Sequence, residues 1–127
     1  MKSSELMIGD LIYNHRKWIC PVTAIDKDHV IVIAQHYGES SYRWEDVNPI
    51  PLTPEILEKI GFASVHNIGY IIDDYNGTQV IYDFWNHNFR IIKDYKVRLD
   101  IDFFGDMSVH ELQHALRLLE IGKEILL

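Results

Sequence analysis

The apolar and polar positions change period three times along the chain, and the changes mark four stretches. The first reads as short strands joined by tight turns. Ile8-Gly9-Asp10-Leu11-Ile12-Tyr13 places a turn signal, Gly9-Asp10, ahead of an apolar strand. Trp18 to Ile25 predicts a second strand, with Asp26-Lys27-Asp28 as the turn behind it. Val30-Ile31-Val32-Ile33-Ala34 is rich in β-branched residues and has no helical period, which predicts a strand buried on both faces or nearly so. Tyr37-Gly38-Glu39-Ser40 turns the chain into a fourth strand, Ser41 to Trp44. Trp44-Glu45-Asp46-Val47 predicts one helical turn ahead of Asn48-Pro49-Ile50-Pro51-Leu52. Evenly spaced short strands with a single turn before the last predict a small rolled sheet or partial barrel, Src-homology-3-like, over residues 1–52.

A short helix follows over residues 53–62. Thr53 is suited to cap it, Pro54 occupies the first position, where a missing N–H costs nothing, and Gly61 supplies a left-handed stop. Strand chemistry then returns in residues 68 to 104. Asn76-Gly77 is a hairpin signal between Tyr70-Ile71-Ile72 and Val80-Ile81-Tyr82, and Asn86-His87-Asn88 marks a second turn. Val97 to Phe103 alternates apolar and charged residues, as a sheet strand with one wet face does. An antiparallel meander of about four strands is expected.

Ser108-Val109-His110-Glu111 is a capping box, and Val109, Leu112, Leu116 and Leu119 form one apolar stripe of a last helix that Gly122 stops. The expected fold class is α+β: rolled sheet, linking helix, and a meander closed by the C-terminal helix over residues 63–127. With no repeat, low-complexity tract or linker, residues 1–127 are read as one domain.

At 127 residues and 47% hydrophobic, the chain is of a length and composition to fold on its own core. Cys20 is the only cysteine, which excludes an internal disulfide and a thiolate zinc cluster; its apolar flanks predict a buried, inert thiol. No apolar stretch of signal-peptide length opens the chain, and Val30–Ala34 is too short to cross a bilayer, so the cytoplasm is the expected location and no membrane partner is expected. The formal charge of −7 and the scattering of Arg16, Lys17, Arg43, Arg90, Lys93, Lys96 and Arg98 argue against general nucleic-acid binding.

One sharp motif stands out. His110-Glu111-Leu112-Gln113-His114 matches H-E-x-x-H, in which two imidazoles one turn apart grip Zn²⁺ and the glutamate polarises the metal-bound water. A third protein ligand is required. Downstream only Glu120 and Glu124 are available, and Glu120 lies on a diverging face of the same helix. Glu111 already serves the capping box, and the helical wheel sets His110 and His114 opposite the leucine stripe, facing solvent. No catalytic or metal-binding residue and no cofactor is therefore assigned.

Asp100 and Asp102 share a strand face and, with Asp106, offer oxygen ligands of the kind Mg²⁺ prefers, but the alternation with Leu99, Ile101 and Phe103 explains them equally as a solvated face. Asp73-Asp74 reads as acid guarding a sheet edge. Tyr37, Tyr42 and Trp44 either line a peptide groove or pack the open end of the rolled sheet.

The run Asn48-Pro49-Ile50-Pro51-Leu52-Thr53-Pro54 through Gly61-Phe62 resembles a group of small uncharacterised proteins of Bacteroides-type bacteria and their phages or mobile elements, which carry a P-I-P-L-T, short helix, G-F core. The opening Leu6-Met7-Ile8-Gly9-Asp10 and the close from Val109-His110 to Gly122-Lys123-Glu124 are similar to theirs. In that group Asn usually stands at the position of His114 and Gln often at that of Glu111, which implies a shared helix start rather than a zinc site. The resemblance implies an origin and an architecture but no mechanism. The leading expectation is a non-enzymatic accessory module that binds a protein partner or a second copy of itself. The alternatives are a zinc hydrolase built on His110, Glu111 and His114, and a nucleic-acid accessory protein using Arg16, Lys17, Arg43 and nearby aromatics.

Overall fold

The computed structural model describes residues 6–34, 38–66, 69–73, 77–103, 107–119, 121, 125 and 127. They form two compact units, Met1–Pro51 with Ser108–Glu124 and Leu52–Met107 with Ile125–Leu127. The fold is α+β, with two antiparallel five-stranded sheets and two helices among the described residues.

In the first unit the strands are β1 (Leu11–Tyr13), β2 (Ile19–Ile25), β3 (His29–Ala34), β4 (Gly38–Arg43) and β5 (Asn48–Pro49). Their order is β4-β3-β2-β1-β5. A 3-10 turn, Trp44–Asp46, stands where one helical turn was expected and redirects the chain so that β5 pairs with β1. Among the described residues the five strands form an open sheet, not a closed barrel. Asp26 makes the β2–β3 turn: its Oδ1 accepts the backbone N–H groups of Asp28 and His29 at 2.7 and 2.6 Å. Cys20, Val22, Val30, Val32, Trp44 and Val47 pack a core with Leu6 and Ile12.

β3 differs from its prediction. Val30, Val32 and Ala34 are buried, whereas Ile33 is 39% exposed. An open rolled sheet covers one face only, so the β-branched run alternates in burial despite its uniform composition. Burial also pushes the Cys20 thiol above its ordinary value, consistent with an inert side chain.

The second unit begins with α1 (Pro54–Lys59), and both helix ends are built as the sequence predicts. Thr53 Oγ1 accepts the Ile56 N–H at 3.3 Å. Beyond the helix the N–H groups of Gly61 and Phe62 return to the carbonyls of Glu58 and Leu57. The meander has five strands, one more than expected: β6 (Ala63–Val65), β7 (Gly69–Asp73), β8 (Gln79–Asp83), β9 (Asn88–Lys93) and β10 (Lys96–Asp102), in sequential order. Val80, Tyr82, Phe89 and Ile91 share one face and are buried. Tyr82 sits at its centre, 4.5 Å from the Phe84 ring and 5.1 Å from Phe103, and its hydroxyl accepts the Met107 N–H.

The C-terminal helix α2 (Val109–Leu118) starts at the predicted capping box, with Ser108 and Glu111 bonded reciprocally. Its contacts place it in the first unit, beside β1. The grouping of residues therefore differs from the sequence reading: α1 goes with the meander and α2 with the rolled sheet. Leu119 caps the helix; Gly122, the expected stop, lies outside the described residues.

Two outcomes follow. A Cβ on Gly69, which has φ +115°, would lie 2.3 Å from the Tyr82 carbonyl, so Gly69→Ala lowers stability by about 2 kcal/mol or more, read from the urea midpoint. Backbone hydrogen bonds from Asp28 and His29 hold the Asp26 carboxyl below its ordinary value. At Asp83 burial acts upward but is outweighed by hydrogen bonds from Asn86 and the Trp85 N–H, which hold the carboxyl low. A carboxyl depressed in the fold contributes stability above its unfolded pKa of about 4, and that contribution is lost as pH falls through the folded value. The wild type therefore loses more stability between pH 6 and pH 3 than an Asp26→Asn, Asp83→Asn double variant, measured by urea unfolding at both pH values.

Candidate functional site

The polar side of α2 carries His110, Gln113, His114 and Arg117, spaced so that they lie along neighbouring faces of one helix. Far from facing water, this side closes on the turn before β1. Gln113 bonds that turn twice: its Oε1 accepts the Leu11 N–H at 2.9 Å and its Nε2 donates to the Gly9 carbonyl at 3.2 Å. One residue on, His114 Nε2 lies 2.6 Å from Asp10 Oδ2, which also accepts the Met7 N–H at 2.7 Å. Arg117 Nη1 is 3.3 Å from Asp10 Oδ1, near enough for charge attraction though outside hydrogen-bond geometry. The Asp10 side chain is fully buried. A buried carboxylate survives only when paired and hydrogen-bonded, and α2 supplies both conditions.

This arrangement corrects the solvent-facing placement of the two histidines. His110 is 6% exposed, with Nδ1 3.1 Å from Ser108 Oγ, and the His114 side chain is 30% exposed. Each ring is thus turned toward a protein partner, and the two meet edge to face with centroids 5.7 Å apart. Glu111 is held in the capping box, its Oε1 bonded to the N–H and the hydroxyl of Ser108 at 3.1 and 2.9 Å. Its carboxylate is thereby directed at the helix start. Among the described residues no three His, Cys, Asp or Glu side chains converge as a metal shell. His110, Glu111 and His114 are each bonded to a protein partner, and Glu120 and Glu124, the further ligands considered from the sequence, lie outside the described residues.

The other sequence candidates separate. Tyr42 and Trp44 belong with the rolled sheet's core, Trp44 buried and Tyr42 packed against it, while Tyr37 lies outside the described residues. Arg43 faces Glu45 across 3.9 Å, and the Arg16 guanidinium lies 5.2 Å from the Trp18 ring centre. Asp28 and Glu45 share a cleft with Arg43 and His29, so acid and base are mixed there. Asp100 and Asp102 share a face as expected, where both accept from Asn88 Nδ2, at 2.7 and 3.0 Å. Asp106 lies outside the described residues.

Sequence reasoning passed over the second face of the meander. The register aligns Ala63, Ile71, Ile81, Arg90 and Asp100 across the sheet, and beside them Asp73, Gln79, Ile92 and Val97. A bulge at Arg98 turns Val97 onto this face, away from the side of Leu99 and Ile101. Ile71, Ile81 and Ile92 are half-buried and Val97 is 56% exposed. Around these apolar residues stand the carboxylates of Asp73, Asp83, Asp100 and Asp102, against one guanidinium, Arg90. At one end Asp73, Gly77, Gln79, Ile92 and Tyr95 line a cleft of about 360 Å³. The recurrence of Ile at positions 71, 81 and 92 was visible in the sequence, but without the register it carried no face.

No family model matches the chain, and neither the curated proteins nor the solved structures contain a significant match to it. No helix among the described residues is long and apolar enough to cross a membrane.

His114→Ala leaves the buried Asp10 carboxylate short of a partner and lowers stability by about 1–3 kcal/mol, measured by urea unfolding. Addition of zinc leaves the wild-type unfolding midpoint where it was. A His114→Ala protein of unchanged stability, or a zinc-dependent rise in the midpoint, contradicts the structural joint.

Proposed function

We propose that this protein is a non-enzymatic binding module that docks a protein partner on the open face of its meander. The observation that carries the reading is the row of Ile71, Ile81, Ile92 and Val97, left half-buried or exposed on the face opposite the buried Tyr82 and Phe89. Apolar side chains lined up on a sheet and rimmed by charge are what a protein partner covers. The rim is acidic, which favours a partner with a basic surface. Strand addition at the edge of the sheet is disfavoured. β10 carries Lys96, Arg98, Asp100 and Asp102 together with its bulge, devices that discourage edge pairing.

The other two readings have less support. A hydrolase needs the Glu111 carboxylate and both imidazoles at a reacting centre, and all three are bonded within the joint between α2 and the first turn. Nucleic-acid binding needs cations that outnumber their acidic neighbours, and Arg43 is matched by Glu45. An accessory role is also in keeping with the resemblance to small proteins of phages and mobile elements.

A photo-crosslinking residue placed at position 81 and expressed in the cell of origin gives one dominant cross-linked protein, whereas the same residue at the exposed position 59 on α1 does not. Equal yields and identical products at the two positions would remove the docking face.

A further inference from the structure

We propose that two copies of this chain pair through the outer edge of β4, antiparallel about a two-fold axis at Ser41. The edge belongs to the first unit and uses no residue of the meander, so the inference stands apart from the docking reading. β4 is the outermost strand of its sheet, and among the described residues it pairs only with β3. Gly38 to Arg43 keep one unbroken register against His29 to Ala34. A strand paired on one side presents its other N–H and C=O groups to a further strand. The other sheet edges are guarded. β5 has two residues, one of them Pro49, β6 has three, and β10 carries charges of both signs with a bulge. β4 has no proline, lysine or bulge.

The order of the side chains selects the occupant. Glu39, Ser41 and Arg43 lie on one face and are exposed, while Ser40 and Tyr42 lie on the other and are half-buried. Opposite charges thus stand two positions to either side of Ser41. When a second copy runs antiparallel with Ser41 facing its counterpart, Glu39 of each copy lies opposite Arg43 of the other, and Ser40 opposite Tyr42. A slip of one residue turns one copy's covered face to the other side of the joined sheet. A slip of two keeps the faces matched but takes Glu39 off Arg43. The strand is therefore complementary to itself in a single register, as a two-fold contact between identical surfaces requires.

Both charges are available to a second copy. Among the described residues the Glu39 carboxylate makes no hydrogen bond or ion pair. Arg43 lies 3.9 Å from Glu45, with side chains 71% and 69% exposed, a weak tie that leaves the guanidinium its other donors. The fold sets the length of the contact. Gly38 opens the strand at φ +72°, and Trp44 begins the 3-10 turn that carries the chain to β5, so Glu39 to Arg43 is the segment that pairs. So short an interface, between copies that each carry a formal charge of −7, gives a dimer that depends on concentration.

Sedimentation velocity of the full chain over a rising concentration series reads the association. The wild type passes from monomer to dimer and no further, because each copy spends its one open edge. Glu39→Arg and Arg43→Glu each set like charges opposite one another and raise the dimer Kd by at least about tenfold. An equimolar mixture of the two variants, in which every arginine again meets a glutamate, forms a heterodimer about as tight as the wild-type dimer. The Glu39→Arg, Arg43→Glu double variant recovers self-association in the same way. A wild type that stays monomeric throughout the series overturns the inference. So does a dimer indifferent to the single reversals, or a pair of weakened variants that fail to rescue each other when mixed. If the β4 dimer forms as described while the position-81 cross-link fails, the docking face falls and the β4 contact stands. A persistent cross-link from a chain that never dimerises removes the β4 contact alone.

Discussion

A single buried carboxylate ties the C-terminal helix to the first turn of the first unit. Asp10 is buried, and its partners come from both near and far in the sequence: the Met7 N–H beside it, and from α2 Arg117 and His114, the latter 104 residues on. Gln113 adds two bonds to the backbone on either side of the same residue. Without them the turn that starts β1 would bury an ionised group with little compensation, a cost far above that of any one surface contact. The joint gives the two histidines and the glutamate of an apparent metal motif hydrogen-bond partners within the protein. Imidazole is well suited to meet a buried carboxylate at hydrogen-bond distance, and the glutamate closes the helix end on its own.

What the sequence revealed and what it concealed divide along the range of the interactions. Thr53, Pro54 and Gly61 define α1, and Ser108 with Glu111 define the start of α2, because capping is settled within a turn of the helix. The Asp26 turn is legible for the same reason. The helical wheel correctly put His110 and His114 on the side away from the leucines, yet their surroundings were misjudged. A periodic pattern tells which side of a helix is polar, and it contains nothing about a carboxylate 104 positions away that needs that side. In the same way, the β-branched run of β3 announced a strand but not how many of its faces would be covered.

The meander's open face was hidden for a different cause. Its members come from four strands and become neighbours only through register, and one of them, Val97, arrives there by a bulge that strict alternation does not foresee. The turn that places Tyr95 lacks the glycine that usually advertises such geometry. At Val97 and Tyr95 local rules are broken, which is why pattern alone does not place them.

The first unit is written in two pieces, Met1–Pro51 and Ser108–Glu124, with the meander between them. During synthesis the carboxylate at position 10 emerges from the ribosome about a hundred residues ahead of the side chains that neutralise it, on the order of five to twenty seconds at ordinary elongation rates. Throughout that interval the side chains of α2 that meet Asp10 are not yet made, while the strands of the meander, contiguous in sequence, already are. The helix that completes the surroundings of the first turn is therefore made after the meander that separates them in sequence.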